Sequence, residues 1–225
     1  PKLKYCYTVA PQLAQVLSKQ YQTHFEVIRN VPFSRRPIWT PKKETKIILY
    51  QGVLNDGRGL QEAILAMKSL PNSLQLHLAG EGDLSTELRA LVKKEHLEKR
   101  VKFLGFLKPD ELRIITPQAF LGLNLLENKG LNYYYSLANK CFDYIQAGLP
   151  SIHPAFPEYL NLQEQYKCFY LLEQVKPQNV SNLILTILEN PNDYEQKCRN
   201  ATKAAQHLTW EEESKKLIQF YANIF

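Results

Sequence analysis

No stretch of the sequence approaches the roughly 20 consecutive apolar residues that a bilayer-spanning helix needs, which excludes a helical membrane span. Cysteine is scarce. Its four copies, Cys6, Cys141, Cys168 and Cys198, lie far apart and never form C-x-x-C. That argues against a disulfide framework and for reduced core thiols in a cytosolic protein. The five histidines are equally scattered, so no metal site is expected. No Lys/Arg run is interleaved with aromatics, and no zinc-finger or RNP-like pattern occurs, which argues against nucleic acid as a partner. Internal repeats and low-complexity tracts are missing too. The first residues carry no signal-peptide pattern, and the chain starts with Pro1 rather than Met, so a piece of a longer polypeptide is expected.

What is present is the composition of a globular protein: 225 residues, 44% of them hydrophobic. One large α/β domain is the first expectation, two smaller ones the alternative. The net charge of +6 favours an anionic small ligand or anionic lipid. Lys93, Lys94, Lys99, Arg100 and Lys102 cluster; the cluster suits either a solvated face or a peripheral membrane contact.

Along the chain, apolar runs alternate with helical patterns. Residues 3–9 and 25–28 read as strands around a helix over 11–21 that opens with Pro11. Residues 32–45, rich in proline and charge, read as a linker. Strands are then expected at 46–50, 74–79, 101–104 and 169–172, with helices at 60–69, 83–94, 109–116, 175–189 and 193–207. Thr209-Trp-Glu-Glu212 is a capping-box sequence opening a last helix to Ile224. This alternation predicts a doubly wound parallel sheet, with ligands at the carboxyl ends of its strands.

The most informative stretch is 130–153, GLNYYYSLANKCFDYIQAGLPSIH. It reads as a helix over 136–147, N-capped by Ser136 and ended by Gly148 and Pro150, between an apolar run at 119–126 and a strand at 149–152. Ser136, Asn139, Lys140 and Asp143 share one helical face, while Leu137, Cys141, Tyr144 and Ile145 share an apolar one. The polar face orders backbone N–H groups, a cation and a carboxylate, which suits the diphosphate and ribose of a nucleotide; an ordinary solvated helix face has the same spacing. His153, following that strand, reads as a structural histidine.

The segment SLANKCFDYIQAGLPSI resembles the donor-site helix of family-four glycosyltransferases, retaining enzymes of the GT-B fold. The likeness extends over most of the chain. TVAPQLAQVLSKQY…VIRNVP resembles the hand-over from the first GT-B domain to the second, YQGVLNDGRGLQEAI the phosphate loop, LAGEGDL the h-x-G-x-G turn, FLGFLKPDEL the base-contacting turn, and the Trp210 region the closing helix. The resemblance implies an α/β Rossmann-like sheet forming the C-terminal half of a GT-B fold, with residues 1–35 ending the N-terminal domain and linker and 36–225 forming the nucleotide-sugar domain.

It also implies site roles. Gly52, Gly80 and Gly82 would let the donor approach the backbone. Arg58 and Lys140 would act catalytically by neutralising the leaving diphosphate, with backbone N–H groups at Ser136 and Leu137. Phe106 and Leu107 would contact the base through the main chain, Asn139 would lie on the donor face, and Asp143 would hold the ribose. Two departures stand out. Val53 occupies the place of the family's first Arg, for which Lys140 would compensate. Tyr135 occupies that of its first Glu, for which Glu127 is a stand-in, with Asn132, Tyr133 and Tyr134 as alternative lining of the sugar pocket.

The expected function is transfer of a sugar from a nucleotide sugar, UDP- or GDP-linked, to a glycan or lipid-linked acceptor with retention. The resemblance implies polysaccharide biosynthesis, no metal or other cofactor, and a cytoplasmic location with room for contact at the inner face of the membrane. The acceptor would be held by the N-terminal domain, so this piece alone is expected to transfer no sugar. The alternatives are a sugar-nucleotide epimerase of the same fold and a non-catalytic scaffold.

Overall fold

The computed structural model describes residues 4–34 and 47–224. The expected boundary at 35/36 and most of the expected linker lie outside the described residues. Two strands, β1 (Cys6–Thr8) and β2 (Phe25–Val27), pair in parallel across helix α1 (Pro11–Tyr21). The remaining strands are β3 (Ile47–Gln51), β4 (Gln75–Ala79), β5 (Val101–Gly105), β6 (Leu121–Leu123), β7 (Ser151–Pro154) and β8 (Phe169–Leu172). They form one parallel sheet in the order β5-β4-β3-β6-β7-β8. The doubly wound sheet expected from the alternation is therefore the observed one. The order runs outward from β3 on one side, then returns to β6 and runs outward on the other. The crevice between the carboxyl ends of β3 and β6 is thus the topological switch point.

Helices cover both faces: α2 (Leu60–Ala66), α3 (Ser85–Lys94), α4 (Pro109–Ile115), the single turn α5 (Leu131–Tyr134), α6 (Asn139–Gln146), α7 (Pro157–Tyr166), α8 (Pro177–Glu189), α9 (Pro191–Ala204) and α10 (Trp210–Ala222). Proline opens α1, α4, α7, α8 and α9, where its missing N–H costs nothing. The central strand β3 reads as an unbroken apolar run because Ile48, Leu49 and Tyr50 are all buried between the two helical layers.

Gly122 of β6 answers to one neighbour. A Cβ there would sit 2.7 Å from the Tyr144 ring. That ring is fixed because the Tyr144 hydroxyl lies 3.2 Å from the Leu49 carbonyl and 3.1 Å from that of Leu123. Helix α6 is thereby pressed onto the strand pair that frames the crevice.

Several expectations need correction. Helix α6 begins at Asn139 with Ala138 as N-cap, three residues after the expected start. Ser136 is no N-cap: its hydroxyl donates to the Tyr133 carbonyl at 2.9 Å, because the turn at α5 offers that acceptor first. Thr209 is the N-cap of α10 but makes no side-chain capping bond, so the capping box does not form, and the helix ends at Ala222. His153 lies inside β7 rather than after it. Helix α7 has no counterpart in the sequence reading, although Pro157 followed by Tyr159, Leu162 and Tyr166 at helical spacing was a usable signal. Arg100 does not belong to a free basic face, since its guanidinium donates to the carbonyls of Met67 and Pro71 at 2.6 and 2.8 Å.

The first segment is bolted to the larger unit. Ala10 and Val31 are buried in the same cluster as Cys141, Phe142 and Tyr159. The Gln12 amide donates to Glu158 Oε1 at 2.5 Å, and the Arg29 amide to Glu213 Oε2 at 2.9 Å. Among the described residues no helix is long and apolar enough to cross a membrane.

Candidate functional site

Every loop singled out from the sequence leaves the carboxyl end of a strand of the large sheet. After β3 the chain turns at Gly52, whose φ of 132° lies where glycine is favoured. The Gly52 amide donates to the Ala79 carbonyl at 2.9 Å and the Leu54 amide to the Glu81 carbonyl at 3.1 Å. The loops after β3 and β4 are therefore zipped together. A Cβ on Gly80 would lie 1.9 Å from the Gly52 oxygen, and one on Gly82 2.3 Å from Asn55 Oδ1. The space that the missing side chains of Gly80 and Gly82 leave is thus taken by the neighbouring loop, and both glycines are required for that loop–loop contact.

The loops after β3 and β6 are joined as well. The Glu127 amide donates to the Gly57 carbonyl at 3.0 Å, and Lys129 pairs with Asp56 at 2.5 Å. Arg58 stands between them. Its guanidinium lies 5.1 Å from the centroid of the Tyr133 ring, a cation–π geometry, and its Nε is buried without a hydrogen-bond partner. The Glu127 carboxylate faces Lys129 at 3.5 Å. Tyr134 packs on Tyr135 and Phe156; Asn132 is exposed.

Across the crevice, Lys140 projects from the first turn of α6. Its side chain is nine-tenths buried, with Nζ 3.7 Å from the centroid of the Tyr50 ring. A Cβ on Gly52 would come within 3.3 Å of the same nitrogen, so a side chain there would press on Lys140 where it crosses the β3 loop. Burial, and secondly the positive charge of Arg58, pull the Lys140 ammonium well below the ordinary lysine range. Two cations thus converge on the switch point over aromatic rings. Tyr50 is held in place by its hydroxyl, which donates to the Val53 carbonyl at 2.8 Å. Val53 itself is exposed, in keeping with the absence of a first phosphate-binding Arg.

Ser136 and Leu137 precede α6. The Ser136 amide is already bonded to the Tyr133 carbonyl at 3.3 Å and Leu137 is buried. The first-turn amides, those a helix leaves without internal acceptors, instead start at Asn139. Asn139 is exposed, and its side-chain oxygen accepts from Asn30 Nδ2 at 3.0 Å. One turn on, Asp143 is half-buried and accepts from Gln51 Nε2 at 3.1 Å. It borders a cavity of about 450 Å³ with Gln51, Thr116, Leu112, Arg113 and Asn30. Phe106, after the positive-φ Gly105, is the most exposed of the large apolar residues among those described, at 76%, whereas Leu107 packs against the core.

His153 is fully buried between Asn124 Nδ2 (3.1 Å) and Ser151 Oγ (2.8 Å), against the rings of Tyr159 and Phe169. Burial, helped by the Lys140 charge, lowers it to about 3. It is a neutral structural group, as the sequence reading had it. Among the described residues no three His, Cys, Asp or Glu side chains gather as metal ligands. The sequence reading missed Tyr50, Gln51 and Thr116. The signal for Gln51 was a polar residue closing an apolar strand immediately before a glycine.

The family model for glycosyl transferases group 1 matches residues 34–207. Comparison with curated protein sequences finds no match. Among solved structures, HepE from Anabaena in complex with UDP superposes with a TM-score of 0.82 at 17% identity, covering 96% of this chain and 63% of that one. Sucrose-phosphate synthase from Thermosynechococcus elongatus gives 0.79 at 20% identity, covering 97% and 58%. WaaG, a glycosyltransferase involved in lipopolysaccharide biosynthesis, gives 0.75 at 17%, covering 93% and 60%. The chain spans less than two thirds of the length of each. The likeness is one of fold, that of the Rossmann-like domain of GT-B glycosyltransferases. Together with the family match over most of its length, it means that this chain belongs to the glycosyl transferases group 1 family.

Proposed function

We propose that the chain binds the donor of a glycosyltransferase that moves a sugar, with retention, from a nucleotide sugar to an acceptor held outside these residues. The diphosphate sits between Arg58, Lys140 and the first-turn amides of α6, where two cations and a helix N-terminus offset the charge that develops on the leaving group. Asp143 accepts hydrogen bonds from the ribose diol, and the base lies against the backbone at Phe106 and Leu107. Arg58 and Lys140 perform this electrostatic work without a metal. The support for a uridine nucleotide is that HepE was crystallised with UDP and with UDP-glucose. The single observation that carries the reading is the pair of basic side chains at the switch point, half-buried Arg58 with a buried, unpartnered Nε and buried Lys140 on the Tyr50 ring. Placing two like charges together in a partly buried crevice is unfavourable without an anion between them, because each raises the cost of the other.

The test is calorimetric. Arg58→Ala is expected to weaken binding of a nucleoside diphosphate by about 1.5–3 kcal/mol, the size of a charge-assisted contact, and to leave nucleoside binding nearly unchanged. Equal losses for both ligands would remove Arg58 from the phosphates. No binding of any nucleoside diphosphate at millimolar concentration would favour the scaffold reading.

Asp143→Asn exchanges an acceptor-only carboxylate for a group with two donors. Ribonucleoside diphosphate binding is expected to fall by about 1.5–3 kcal/mol, and binding of the 2′,3′-dideoxy analogue far less. Identical losses for the two would take Asp143 away from the ribose.

A further inference from the structure

The last residue of β3 carries a buried side-chain amide that no feature of the donor site yet uses. Gln51 is 3% exposed and spans three elements. Its Nε2 donates to Asp143 Oδ2 on α6 at 3.1 Å, and its Oε1 accepts from Thr116 Oγ1, just after α4, at 2.8 Å. A buried amide is costly unless both ends are satisfied, and here both are. The two ends are not interchangeable. An ionised carboxylate can only accept, so it draws the NH2 group, and the Thr116 hydroxyl, able to donate, takes the oxygen. The Leu112 carbonyl, 2.7 Å from the same hydroxyl oxygen, shares its single proton and keeps the hydroxyl close to the end of α4. A chain of three side chains therefore runs from the end of α4 to the α6 carboxylate.

We propose that Gln51, oriented by Thr116, is the positioning residue that fixes the rotamer of Asp143 and so sets the preference of the site for a ribose diol. This rests on the reading of Asp143 as the ribose acceptor. The bond from a neutral donor to Oδ2 holds the Asp143 side chain at the wall of the cavity. Gln51 does not touch the reacting atoms. Its contribution is that Asp143 does not have to be ordered when the donor arrives, which is the sense in which preorganisation raises affinity.

The experiment compares UDP and GDP with their 2′,3′-dideoxy counterparts by calorimetry in the full chain and in Gln51→Met, Gln51→Glu and Thr116→Val, with thermal unfolding alongside. Gln51→Met is expected to lower ribonucleotide affinity about five- to thirty-fold and dideoxy affinity less than about two-fold, with Thr116→Val giving a smaller loss of the same kind. Gln51→Glu adds a second carboxylate beside Asp143, so one of the pair holds its proton to higher pH. Protonated Glu donates as Gln does. The ratio of ribonucleotide to dideoxy affinity of this variant is therefore expected to recover at low pH and to fade as the added carboxyl ionises, whereas the pH dependence that Lys140 gives every variant acts on both ligands alike and leaves the ratio unchanged. Equal losses on both ligands, or a pH-independent ratio of the two affinities in Gln51→Glu, would overturn the proposal and leave Gln51 a packing residue. Should Gln51→Met not fold, Thr116→Val and the pH profile of Gln51→Glu decide. If Asp143→Asn does not discriminate the two ligands either, it is the ribose reading that has failed; if it does and Gln51→Met does not, only this proposal has.

Discussion

Lys140→Met is expected to weaken nucleoside diphosphate binding by about 1.5–3 kcal/mol while making the ligand-free fold more stable. The two effects have one origin. Lys140 is nine-tenths buried and rests on Tyr50; among the described residues its ammonium meets no carboxylate in an ion pair. Burial first, then Arg58, hold it well below the usual lysine value. Removing a poorly compensated buried charge relieves the empty protein, and the same removal deprives a bound diphosphate of its counter-charge.

The sign with pH follows. Between the depressed value in the folded state and about 10.4 in the unfolded chain, the unfolded state carries the extra proton. Lys140 therefore makes stability rise with pH through that window. Diphosphate affinity changes the opposite way, falling as pH rises through the folded-state value, because the ligand favours the charged amine. Urea unfolding and calorimetry at several pH values measure both slopes, and Lys140→Met should flatten both. A stability slope unchanged by the substitution would mean that another group titrates there.

Gly80→Ala should cost about 3–5 kcal/mol of stability, the upper range for a single substitution. The added Cβ would lie 1.9 Å from the Gly52 oxygen and 2.8 Å from its carbonyl carbon, and φ at this position is 149°. Neither backbone can give way, since the Gly52 amide is bonded to the Ala79 carbonyl next door. Gly130→Ala is the control. Its φ of 116° imposes backbone strain, but nothing lies within 4 Å of the new Cβ, so about 1–2 kcal/mol is expected. Equilibrium unfolding of the two variants separates clash from strain; equal losses would remove the loop–loop contact as the cause. Because Gly52 also borders Lys140, Gly80→Ala should depress diphosphate binding in whatever fraction stays folded.

The sequence by itself determined the sheet and its winding. Apolar runs such as 46–50 and helical patterns such as 60–69 are local signals, and their alternation leaves a parallel sheet as the arrangement that buries both faces. It also placed Arg58, Lys140 and Asp143 on loops and a helix at one edge, since residues after a parallel strand share an end by topology. Helix starts were less legible. Ser136 looks like a cap until the turn at α5 supplies a nearer acceptor, and α7 is a weakly amphipathic helix whose proline start went unused. What only the tertiary structure decided is which polar groups meet. That Gly80 serves Gly52, that Lys140 lies on Tyr50, and that Gln51 links Thr116 to Asp143 across 92 residues of sequence separation on one side and 65 on the other depends on contacts between strands and helices distant in sequence. A residue's own neighbours along the chain carry no record of those contacts, because the burial that makes a lone amide or ammonium costly, and hence its partner decisive, exists only once the layers have packed.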